Sequence, residues 1–120
     1  MLVPGNRVFV ISGSVSKSST QIVSDEVQEW DLNTMTVKLR TKMIKGGRTS
    51  FGCYYHGRYI YIVGGNETNS MTNNSCCRFD IYTYKWEQLP DLNVRRANPC
   101  SYVQGHYLYA IGGFEYNGYS

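Results

Sequence analysis

Apolar residues in this chain cluster in short runs rather than recurring at helical spacing. Residues 8–11, Tyr59–Val63 and Tyr107–Ile111 are each closed by a small residue and a glycine, in the pairs Ser12-Gly13, Gly64-Gly65 and Gly112-Gly113. A short apolar run bounded by glycine reads as a strand covered on both faces. The middle of the chain resolves into four such elements. The first is Gly52–His56 before a turn at Gly57, and the second is Tyr59–Val63. The third covers residues 76–79, and a tight turn over 80–85 leads into the fourth, Trp86–Leu89, stopped by Pro90. Fold class is therefore all-β.

The elements repeat. Residues 48–65 align without a gap on residues 96–113: Arg48, Tyr54, Gly57, Tyr59, Tyr61, Gly64 and Gly65 recur as Arg96, Tyr102, Gly105, Tyr107, Tyr109, Gly112 and Gly113. A third copy opens the chain, with residues 5–13 lying over 57–65. A second block, aromatic–Asp–x–x–Thr, occurs as Trp30-Asp31 with Thr34 and as Phe79-Asp80 with Thr83. A strand-rich period near 50 residues points to propeller blades or a solenoid.

These motifs resemble the Kelch repeat, which has a diglycine after an apolar strand, an aromatic-Asp turn, Trp-x-x-Leu-Pro, and an arginine opening the next unit. Gly64-Gly65, Phe79-Asp80, Thr83, Trp86, Leu89-Pro90 and Arg96 carry the resemblance, which extends over nearly all of residues 1–120. It implies an incomplete Kelch-type β-propeller of two to three blades, each blade a four-stranded antiparallel sheet. Residues 5–43 are a degenerate unit supplying strands two to four, residues 48–92 a complete unit, and residues 96–113 the first two strands of a further one. In the degenerate unit Ser12 replaces the first glycine, Val37 stands at the Trp position and Arg40-Thr41 replaces Leu-Pro. This gives about nine strands, whereas a propeller closes with roughly four to eight four-stranded blades. The expectation is a fragment of a longer protein, a truncated gene model, or a part completed by other copies or a partner.

Composition narrows the function. The net charge of +3 is too mild for a dedicated nucleic-acid binder. No apolar stretch approaches the roughly 18 residues of a membrane-spanning helix, and the N-terminal residues lack the pattern of a signal peptide. Cys53, Cys76, Cys77 and Cys100 form no CxxC or zinc pattern and read as reduced thiols of a cytoplasmic protein. The sequons at Asn66 and Asn73 pull the other way. Lys38, Arg40 and Lys42 alternate, so a regular strand would turn all three to one face; they read as charges on an exposed outer strand that deter edge pairing.

No nucleophile elbow, HExxH, phosphate loop or carboxylate pair is present. His56 and His106 sit beside the Gly57 and Gly105 turns and read as solvent-facing. No catalytic residue, metal or cofactor is expected. The tyrosines recur at repeat positions, as packing residues do. Polar loops follow the diglycines at residues 14–26 and 66–75, and short linkers join units at 45–48 and 93–96. The Kelch resemblance implies that these two sets share one rim, where a protein or peptide partner is held. Asn66, Arg95, Asn98, Phe114 and Tyr116 are the candidate contacts: arginine for acidic side chains, amides for peptide backbone, aromatics for apolar contact. Arg48 and Arg96 recur in register and are expected to brace neighbouring blades by bonding to backbone carbonyls. The function implied is a non-catalytic interaction module of a longer scaffold or substrate receptor. Its rival is a fragment of a propeller enzyme or carbohydrate-active domain resembling copper-radical oxidases.

Overall fold

The computed structural model describes residues 1–17, 20–44, 46–67 and 71–115. Twelve strands and no helix lie among them. β1 (Leu2–Val3), β2 (Arg7–Ile11), β5 (Glu26–Asp31) and β6 (Thr36–Lys42) form one antiparallel sheet in the order β1-β2-β5-β6. β7 (Gly52–His56), β8 (Tyr59–Val63), β9 (Cys76–Asp80) and β10 (Trp86–Leu89) form a second antiparallel sheet as a meander in chain order. β11 (Cys100–Gln104) and β12 (Tyr107–Ile111) form a hairpin, as do β3 (Ser14–Lys17) and β4 (Thr20–Val23). Two four-stranded blades and the first hairpin of a third are arrayed in a flat body of 45 × 44 × 19 Å, an all-β partial propeller.

Three features differ from the sequence expectation. Leu2–Val3 adds a first strand to the opening unit, which the repeat pattern begins at strand two; it pairs through only two positions, Leu2 with Val8 and Val3 with Arg7. The segment after Ser12-Gly13, read as a polar loop, contains the β3–β4 hairpin. In the basic strand β6 the register shifts between Glu29 and Trp30, where Leu39 and Val37 are their partners, so Lys38 falls in a bulge. A bulge breaks side-chain alternation, and Lys38 and Lys42 are exposed without sharing the regular face that the spacing implies.

The core lies between the two complete sheets. Val3, Phe9 and Val27 of the first meet Ile60, Ile62, Cys77, Phe79 and Ile81 of the second, all buried. Phe9 meets Phe79 edge-on with centroids 5.6 Å apart, and Trp86 packs on Phe79 at 4.9 Å. A strand has two faces, and the register assigns each face of the β7–β8 ribbon its neighbour. Cys53 pairs with Ile62 and Tyr55 with Ile60, on the side of the first sheet. Gly52 pairs with Val63 and Tyr54 with Tyr61 on the other side, toward the β11–β12 hairpin. There Tyr54 meets Tyr102 at 5.4 Å, and a Cβ on Gly52 would lie 2.1 Å from Ser101 Oγ. The blades therefore stack through alternating faces of the same strands.

Candidate functional site

The diglycine ends of the strands and the inter-unit linkers meet at one end of the molecule. Each linker crosses in front of the segment that follows a diglycine. Thr49 and Asn66 exchange main-chain bonds of 2.9 and 2.7 Å; one repeat later Ala97 and Phe114 do the same at 2.7 and 3.0 Å. Asn66 also bridges to Thr72. The Asn98 amide donates to Ser50 O at 2.6 Å, tying the two linkers together. Ser50 and Asn98, 48 residues apart, both hold positive φ, 51° and 56°, so the sequence repeat is also a conformational one.

Arg48 anchors this rim. Only 2% exposed, its Nη1 donates to Gly64 O and Ser75 O, both at 2.9 Å. Arg96 Nη1 donates to Gly112 O at 2.9 Å, the same bond one unit on. Both side chains thus bond the carbonyl of their own unit's diglycine. The link to the preceding unit runs through the main chain: Gly13 N donates to Arg48 O at 3.3 Å and Gly65 N to Arg96 O at 2.8 Å. Side-chain bracing across blades was expected; the structure divides the work between side chain and backbone. Gly64 has φ 63°, and a Cβ there would lie 2.3 Å from Arg96 O, which excludes any larger residue without rearrangement.

Ser12 occupies the corresponding place in the first unit, also at positive φ, 58°. Its hydroxyl accepts from Arg48 N at 2.8 Å and lies 2.7 Å from Arg48 O and 2.6 Å from Ser24 O. With one proton, it donates to one of those carbonyls at a time. The departure from the repeat pattern at residue 12 is thereby a polar clamp on the next unit's arginine.

Among the partner candidates, Arg95, Asn98 and Phe114 are exposed at this rim. Arg95 Nη1 donates to Thr72 O at 3.3 Å, and Phe114 is 54% exposed. Asn66 is placed differently: its Oδ1 is buried and has no hydrogen-bond partner among the described residues, so its carbonyl faces inward. Tyr116 and Lys45 lie outside the described residues. The Asn73 side chain is engaged within its own loop, Nδ2 donating to Glu67 Oε1 at 2.8 Å and Oδ1 accepting from Ser75 N at 2.6 Å. His56 and His106 are exposed beside their turns.

At the opposite end lies a cluster that the sequence reading missed. Glu29 is fully buried and accepts from Arg7 Nη1 at 3.3 Å and from the Tyr84 hydroxyl at 3.0 Å. Tyr84 comes from the neighbouring blade and holds φ 59°, a conformation costly for an aromatic residue. Burial, then the Glu29 carboxylate it donates to, pushes the Tyr84 phenol above its ordinary pKa. No sequence signal marks Glu29, because its partner lies 55 residues away.

A cleft of about 450 Å³ opens between the second blade and the third-unit hairpin, with Tyr61, Arg78, Leu89, Val103, Tyr107 and Leu108 in its walls. By the repeat, Tyr61 corresponds to Phe9, which at the preceding junction packs against Phe79. The cleft thus occupies the place that a third-strand aromatic fills one junction earlier. Among the described residues, no three His, Cys, Asp or Glu side chains gather as metal ligands.

Residues 47–93 match the family model of the Kelch motif, the stretch that carries Arg48, the diglycine and the second blade. Over this stretch the chain is similar to a Kelch repeat. It is 25% identical over 114 residues to Kelch-like protein 22 of Mus musculus, an alignment covering 88% of this chain and 17% of the relative. It is 35% identical over 71 residues to Kelch-like protein 40 of Xenopus laevis, covering 59% of this chain and 11% of the relative. An F-box/kelch-repeat protein of Arabidopsis thaliana is 28% identical over 119 residues, covering 94% of this chain and 28% of that protein. The chain thus spans less than a third of the length of these curated relatives. Set against the diglycine of residues 64–65, Ser12 stands where the later unit has a glycine, and the fold accommodates it by hydrogen bonding.

Proposed function

We propose that this chain is a non-catalytic protein-interaction module whose diglycine rim holds a segment of a partner protein, as part of a longer scaffold or substrate receptor. One observation carries the reading. Linkers and post-diglycine segments are knitted by main-chain bonds into a single end, on which Arg95, Asn98 and Phe114 stand exposed. A rigid scaffold displaying loop residues is the usual way such folds bind, and arginine and aromatic side chains are the types that dominate interface energetics. Arg95 suits an acidic side chain of the partner and Asn98 its peptide backbone. Cys53, Cys76 and Cys100 as free thiols suit a reducing, cytoplasmic setting.

Selection of a displayed random-peptide library against the chain tests the reading. Peptides recovered on the wild type are expected to weaken at least about tenfold, or about 1.4 kcal/mol, on Arg95→Ala and on Phe114→Ala. Circular dichroism should show both variants folded. Peptides that bind both variants as tightly as wild type would remove the rim from consideration. Stoichiometric copper in the purified protein would instead favour an oxidase.

A further inference from the structure

We draw no further inference here: the strongest candidate, the outward face of the β11–β12 hairpin with Tyr107, Tyr109 and Ile111 beside the adjoining cleft, repeats the blade face that a following unit covers elsewhere in this fold, and nothing in the structure shows what covers it here.

Discussion

The two repeat arginines make the same bond in different surroundings, which separates the worth of a hydrogen bond from the cost of burial. Arg48 is enclosed, and its guanidinium satisfies Gly64 O and Ser75 O. Arg96 makes its bond to Gly112 O at an exposed position. Removing a charged donor from buried acceptors leaves them unsatisfied, whereas at an exposed site water replaces it. Arg48→Met should therefore destabilise by about 3 kcal/mol and Arg96→Met by less than about 1 kcal/mol. Urea unfolding midpoints at equal slope measure both, and equal losses would contradict the burial argument. That these arginines matter was legible from their 48-residue recurrence. Their inequality was not, because burial depends on a neighbouring unit rather than on the local motif.

The aromatic-Asp turns joining third and fourth strands show what an element asks of its sequence. Asp80 Oδ1 accepts from the amides of Tyr82 at 2.9 Å and Thr83 at 3.2 Å, and Oδ2 pairs with Arg58 Nε at 2.9 Å. Asp31 Oδ1 takes the Asn33 amide at 2.8 Å in the first blade. Burial alone would raise the Asp80 pKa, but the two amides and Arg58 outweigh it and hold the carboxyl below its ordinary value. A depressed folded pKa contributes stability that is present above the unfolded value, near 3.9, and is lost as pH falls through the folded one. Asp80→Asn should accordingly lower the unfolding midpoint at pH 7, and the gap to wild type should narrow as the pH falls below the unfolded value and through the folded one. A gap that stays constant with pH would assign the effect to shape rather than charge. The same turn holds Tyr84 at positive φ, where its hydroxyl meets buried Glu29 of the other blade. Tyr84→Phe leaves that carboxylate with Arg7 and should cost about 1–2 kcal/mol. A double-mutant cycle with Glu29→Gln checks it, and additivity would show that the two side chains are not coupled. Strands β7, β8 and β10 were legible to the residue, because glycine and proline bound their apolar runs. β1 is only two residues long and β3–β4 lies in a mostly polar segment, so each depends on neighbours that no local pattern announces. The rim was legible as two sets of loops. The inward turn of Asn66 and the Ser12 clamp depend on segments distant in the sequence and were not.

Blade stacking makes the burial of a repeat position depend on its place in the array. Tyr61 and Val63 are 8% and 0% exposed; their counterparts Tyr109 and Ile111, one unit on, are 44% and 62% exposed. The register supplies the reason: Tyr61 and Val63 share the ribbon face that the third-unit hairpin approaches, whereas Tyr109 and Ile111 on that hairpin's own outward face are largely left to solvent. At the other end of the array Leu2 and Val10 are likewise exposed. Contiguous apolar surface of this kind drives association in water whatever its natural cover, and the paired hairpin β11–β12 adds an edge to which strands can bond. The isolated 120-residue chain is therefore expected to self-associate in a concentration-dependent way on size-exclusion chromatography. The double variant Tyr109→Lys and Ile111→Lys should shift the profile toward monomer, with the strand content in circular dichroism unchanged. Both positions are already solvent-exposed, so the substitutions remove apolar area without opening a cavity. A wild type that elutes as a monomer across a hundredfold concentration range would show that these faces are not sticky enough to matter. An unchanged profile in the lysine variant would move the association to the Leu2–Val10 face or to the free strand edges.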